Sequence, residues 1–206
     1  QDIPALIDAL YLRHQQKINL IGHSWGGVML LAALARRPDL LEKVASIVTF
    51  GSKRRITARS LHKLLQIDIV WNRLAPALAA RYGYLPAKRF RFGADDEPQQ
   101  HLLDTICWIK QPAFVDCSDA FDYGKAAQQL RWPPAWFFAG SADKVLGHPQ
   151  DVRLLMQESG LAAARFTELG RRNGDKLDFG HIDMLTHPAA RQGHFAALAS
   201  WLRQPT

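Results

Sequence analysis

The sequence predicts an α/β fold: a parallel sheet covered by helices, with a mostly helical insertion. Segments with apolar residues at helical spacing alternate with short β-rich runs, and those runs end at Gly22, Gly51 and Gly140. A stretch over residues 53–134 breaks the alternation, which then resumes. The 206 residues, 48% apolar and 22% charged, suffice for one domain carrying a sizeable insertion. That composition excludes a disordered tail, a collagen-like chain and a disulfide scaffold. The longest uncharged apolar run, Val28 to Ala35, is far below the roughly 20 residues a membrane span needs.

Ile3, Leu6, Ile7, Leu10 and Tyr11 lie on one helical face and predict a helix over residues 3–14. Residues 17–22 (K-I-N-L-I-G) read as a strand, residues 24–36 as a helix stopped near Pro38, and residues 44–50 (V-A-S-I-V-T-F) as a second strand. Within the insertion, residues 61–80, 99–111 and 123–130 read as helices, and no buried strand is evident. Residues 135–139 predict a strand, 149–159 a helix, 164–169 a strand and 188–202 one closing helix. The expected division is therefore a core over 1–52, an insertion over 53–134 and a second core segment over 135–206.

Gly22-His23-Ser24-Trp25-Gly26 lies between a predicted strand and a predicted helix, the context in which a G-x-S-x-G pattern has mechanical sense. A serine on so sharp a turn needs nearly atomless neighbours two residues away, a role for Gly22 and Gly26. The turn lifts the Ser24 hydroxyl clear of the sheet, and the Trp25 N–H points toward where an oxyanion would form. Such a donor contributes on the order of 3 kcal/mol of transition-state stabilisation. The plainer alternative is a glycine-rich turn with a serine N-cap.

On these residues the sequence resembles the α/β-hydrolase superfamily, in its lipase- and esterase-like branch. The resemblance implies an acid and a histidine after the serine, at later strand ends. Asp143, in A-G-S-A-D-K-V-L-G, is similar to the family's acid-bearing turn; His181, in D-F-G-H-I-D-M-L, is similar to its terminal H-x-D motif, with Asp183 as the matching aspartate. Asp116, Asp119 and Asp122 are alternative acids within the insertion, and His187 is an alternative base before Pro188. His148 and His194 read as surface or helix-end residues. His181, Asp183 and His187 lack a further histidine or cysteine nearby and make a poor metal set.

The implied chemistry is hydrolysis of carboxylic esters, lipid-like esters and thioesters included, through an acyl-enzyme on Ser24, with no cofactor. An acyltransferase shares the same triad, and a non-catalytic binding protein on the same scaffold is the alternative outside enzymes. The resemblance places the insertion where the family carries a cap, and Trp71, Leu74, Leu78, Tyr82, Tyr84, Trp108 and Phe114 are candidates either to line its acyl pocket or to form its own core. It also implies that the sequence is the C-terminal two-thirds or so of a longer hydrolase, with the elbow strand left at a sheet edge.

Charge and cysteine usage add partner expectations. The net charge of +7 concentrates in Lys53, Arg54, Arg55, Arg59, Lys63, Arg73, Arg81, Lys88, Arg89 and Arg91, with Asp68 the lone acid among them. This cluster reads either as a solvated helical face or as a surface favouring an anionic ester or a membrane surface. A nucleic-acid role rests on charge alone and is not expected. Cys107 and Cys117 read as unpaired, which favours a reducing, cytoplasmic compartment.

Overall fold

The computed structural model describes residues 2–57, 64–90 and 95–204. They form two compact units, Gln1–Ile56 with Tyr123–Thr206, and Thr57–Asp122. The first unit begins with α1 (Asp2–His14), β1 (Ile18–His23), α2 (Trp25–Arg36), a 3-10 turn (Pro38–Lys43) and β2 (Val44–Phe50). Asp2 in the first turn of α1, and Arg13 and His14 in its last, complement the helix dipole. α2 closes at Arg37, where the following Pro38 disfavours another helical residue.

The second unit holds a π-helical stretch (Leu64–Leu74), α3 (Ala75–Tyr82), β3 (Tyr84–Leu85), α4 (Ala87–Phe90), β4 (Glu97–Pro98) and α5 (Gln99–Lys110). The single helix expected over 61–80 changes winding at Leu74, and residues 61–63 of it lie outside the described residues. α3 ends at Gly83, whose φ of 78° is the left-handed cap glycine adopts without strain. β3 and β4 pair antiparallel. The expectation that no buried strand lies in this stretch did not anticipate these strands, because two residues are too few to show a period.

The core of this unit is Ala75, Ala79, Leu85, Ala87, Leu102 and Ile106, with Trp71 and Leu78 packed against it. Trp108 meets Phe114 edge-on at 5.2 Å between centroids. Four of the seven candidate pocket residues thus serve the unit's own packing, while Leu74, Tyr82 and Tyr84 are exposed. Cys107 and Cys117, expected to be free, form a disulfide. The chain reverses after α5 and brings Cys117 back to that helix's last turn, with the two Cα atoms 6.5 Å apart, inside the range a bridge requires.

The first unit resumes with α6 (Tyr123–Gln128), β5 (Ala135–Gly140), α7 (Pro149–Glu158), β6 (Arg165–Leu169), a 3-10 turn (Arg171–Asn173), α8 (Asp183–Thr186), α9 (Pro188–Gln192) and α10 (His194–Leu202). α6 packs on α2, where the Arg36 guanidinium donates to the Tyr123 hydroxyl at 3.1 Å. The expected closing helix is two helices, broken at Gly193. The break lets His194 enter the core, where its Nε2–H donates to the Met184 carbonyl at 2.7 Å. His194 is thus a buried helix-start residue rather than a surface one.

The four main strands form a parallel sheet in the order β1-β2-β5-β6. β2 and β5 are covered on both faces: β5 is apolar throughout, and β2 buries Ser46 and Thr49 along with its apolar residues. One core layer comprises Val48, Phe50, Trp136, Phe138, Leu169, Phe179, Met184 and Leu198. β1 lies at an edge and is buried on one face only: Leu20 and Gly22 are covered, whereas Asn19 and Ile21 are exposed.

The basic cluster is divided between the units. Lys53, Arg54 and Arg55 belong to the first unit, where Lys53 and Arg54 are buried rather than solvated. Arg54 donates from Nε and Nη2 to the two carboxylate oxygens of Glu158, at 2.8 and 2.7 Å. Burial pulls the Lys53 ammonium down to about 8, against the opposing pull of Asp143 and Asp151. Arg73, Arg81, Lys88 and Arg89 are exposed in the second unit; Arg59, Lys63 and Arg91 lie outside the described residues.

Glu158→Ala removes a two-point carboxylate partner from a fully buried guanidinium, and is expected to cost about 3 kcal/mol in a urea titration. Alkylation of the denatured, unreduced chain is expected to leave Cys107 and Cys117 unmodified, with both sites labelled after reduction, as mass spectrometry reads directly.

Candidate active site

Ser24 sits between β1 and α2 with φ 53° and ψ −125°, a strained conformation for a residue with a side chain. Its N–H donates to the Phe50 carbonyl at the end of β2, at 2.8 Å. That bond ties the turn to the neighbouring strand and leaves Ser24 only half-buried. Trp25 opens α2, so its N–H lies in the first helical turn, where backbone donors face out of the helix end.

The glycines around this turn differ from expectation. A Cβ on Gly22 would lie 2.7 Å from the Gly27 N and Cα, so Gly22 has no room for a side chain. Gly26, expected to be equally constrained, would meet no described atom within 4 Å. The second crowded position is Gly27, where a Cβ would overlap the Ser52 hydroxyl. α2 turns Gly26 outward and presses Gly27 onto the segment after β2.

Asp143 and His181 are joined by a 2.6 Å hydrogen bond between the Asp143 Oδ2 and the His181 Nδ1. Burial pushes the Asp143 carboxyl up, but the His181 hydrogen bond and charge and the Gly147 and Val145 N–H groups outweigh it and hold it below its usual value. An ionised carboxylate only accepts, so His181 Nδ1 carries the proton and Nε2 is left as an acceptor. The other Asp143 oxygen accepts the Leu146 N–H at 2.9 Å and the Val145 N–H at 3.3 Å.

The two loops interlock at the end of β5. A side chain on Gly140 would overlap the Phe179 carbonyl, so glycine lets the histidine-bearing loop cross there. The Ala142 N–H donates to that same carbonyl at 2.9 Å. Asp183 accepts the Gly180 N–H, bracing the residue before His181. Gly51, at φ 58°, takes the His181 ring on its other side: a Cβ there would lie 3.0 Å from the ring Cε1 and Nδ1. The sequence marked Gly51 and Gly140 as strand ends and Asp183 as part of the His181 motif, but the close contacts these residues make were not readable from it.

Ser24 and His181 approach through the same corner of the first unit. Phe50 accepts from the Ser24 backbone, Gly51 touches the His181 ring, and the His23 ring lies 4.6 Å from that of His181. No hydrogen bond joins the Ser24 hydroxyl to His181 among the described residues. The competing residues have local work instead. His187 and His148 cap their helices, accepting the Ala189 and Gln150 N–H groups. Asp116 accepts from Ser118, and Asp119 from Phe121, within one turn of the second unit. A cavity of about 660 Å³ is lined by Ser141, Lys144, His148, Arg153, Arg172 and Asp178 among others, and includes none of Ser24, Asp143 or His181.

A family model described as the alpha/beta hydrolase fold matches residues 10–99. No curated protein matches the chain. Among solved structures, the chain is similar to a monoacylglycerol lipase of Paleococcus ferrophilus, with 17% identity, 96% of this chain and 72% of that one covered, and a TM-score of 0.54. A soluble variant of monoglyceride lipase from Saccharomyces cerevisiae, bound to a substrate analogue, shares 12% identity over 98% of this chain and 67% of its own, at a TM-score of 0.63. The esterase domain of a Rhodothermus marinus protein shares 18% identity over 98% and 66%, at 0.53. The chain therefore spans about two thirds to three quarters of the length of these structures.

The close packing at the elbow separates its glycines experimentally. Gly22→Ala and Gly27→Ala are each expected to lower the melting temperature by several degrees, since overpacking costs about 1–3 kcal/mol, whereas Gly26→Ala leaves it unchanged.

Proposed function

We propose that the chain, whose residues 10–99 match a model of the alpha/beta hydrolase fold, is a serine hydrolase of carboxylic esters, lipid-like esters among them. The observation that carries this reading is the Asp143–His181 hydrogen bond beside a serine held in a left-handed turn at the start of a helix. The fold shared with lipases and esterases supports ester hydrolysis at a general level.

In this reading Ser24 is the nucleophile. Its hydroxyl is unreactive at its free pKa, and the His181 Nε2 accepts the proton as Oγ attacks the ester carbonyl. The hydrogen bond of Asp143 to Nδ1 fixes the tautomer that makes Nε2 basic and stabilises the imidazolium that forms. The oxyanion takes the Trp25 N–H. His181 then protonates the departing alkoxide, leaving an acyl ester on Ser24. A water activated by the same Nε2 attacks that ester, releases the carboxylic acid and returns the proton to Ser24. The Ser24–His181 hydrogen bond forms in the substrate complex, as catalytic contacts often tighten only there.

A fluorophosphonate probe is expected to label the chain, with no labelling of Ser24→Ala. Asp143→Asn is expected to slow hydrolysis of a p-nitrophenyl ester by about 10³-fold or more while folding normally. No labelling of the folded wild-type chain would sink the hydrolase reading in favour of a binding protein on the same scaffold.

A further inference from the structure

The mechanism leaves one half-buried histidine at the site unused. His23, the last residue of β1, precedes Ser24, and its Nε2 lies 3.0 Å from the carbonyl oxygen of His181. A carbonyl only accepts, so this Nε2 carries the proton. The two imidazole rings pack with centroids 4.6 Å apart and planes inclined by 42°. Burial lowers the basicity of His23; the His181 carbonyl opposes that, the charge of His181 adds to it, and Asp143 opposes it.

We propose that His23 is a positioning residue for His181: by donating to its carbonyl and packing on its ring, it locks the histidine-bearing loop to the nucleophile turn. This rests on the hydrolase reading above. Asp143 holds the His181 Nδ1 and Asp183 holds Gly180, yet both belong to the later part of the chain. The His23 bond spans 158 residues and ties the loop to the element bearing Ser24. A neutral His23 also adds no positive charge against the imidazolium that His181 becomes. Without the bond, the loop keeps its fold but loses its register on Ser24, and a displacement of about 1 Å can cost about 10²-fold in rate.

The test compares His23→Gln, whose amide N–H reaches toward the same carbonyl, with His23→Phe, which keeps a ring and loses the donor. His23→Phe is expected to lower kcat for a p-nitrophenyl ester by about 10- to 100-fold with KM within about twofold, and His23→Gln to restore kcat to within about threefold of wild type. Wild-type kcat in His23→Phe, or an equal loss in both variants, would overturn the proposal.

Nitrogen-15 NMR of the wild-type chain provides a readout that needs no activity and no variant. The Nε2–H tautomer of His23 is expected, and the Nδ1–H tautomer would overturn the proposal even if His23→Phe does not fold. If Ser24 labels with no probe, the hydrolase reading falls separately. Exchange of the proton shared by His181 and Asp143 then still decides the link: it is expected to quicken in His23→Phe but not in His23→Gln, and equal rates in the two would overturn it.

Discussion

The hydrogen bond between Asp143 and His181 depends on two loops meeting where neither could pass the other if Gly140 had a side chain. The acid turn follows β5 and the histidine loop follows β6, so the parallel order of those strands delivers both to one edge of the sheet. The Phe179 carbonyl accepts the Ala142 N–H at the crossing, and the backbone itself sets the separation of the two side chains. A hydrogen bond made in so buried a place is strengthened by its low-dielectric surroundings and is costly to leave half-made.

The same economy of space recurs on the serine side. Gly22 presses on Gly27, Gly27 on Ser52, and Gly51 on the His181 ring, so contacts run from β1 through α2 to the end of β2 and on to the histidine. The strained φ of Ser24 persists because its N–H is bonded to Phe50 and its neighbours are packed without slack. Gly147 continues the series: a Cβ there would lie 2.6 Å from the Gly51 carbonyl oxygen and 2.8 Å from the Asp143 carboxylate. Close backbone approach, rather than a deep pocket, holds these groups together.

The strands behind this edge are unequal. β2 and β5 carry apolar residues on both faces and anchor the core, with Trp136 buried and its indole N–H satisfied by Thr167 at 2.9 Å. β1 carries the Ser24 turn but is buried on one face, and its lateral hold comes from β2. Hydrogen bonds from Ser24 to Phe50 and from His23 to His181 therefore supplement a strand whose own packing is thin. The second unit is stabilised separately by its small apolar core and its disulfide.

What the sequence by itself determined is local: the alternation of periods, the strand–turn–helix around Ser24, and the chain order that sets Asp143 and His181 at later strand ends. Such features are legible because residues within one element or turn dictate them through spacing and backbone preference. What the tertiary structure decided concerns residues distant in sequence. It paired Cys107 with Cys117, which the sequence alone read as unpaired, and buried Lys53 and Arg54, which charge counting put on a surface. It also made Gly27 rather than Gly26 the crowded glycine, and turned His23 toward the loop that carries His181. The physical reason is common to all of these: each depends on how closely two backbones approach after folding, a distance that no local pattern of side chains encodes.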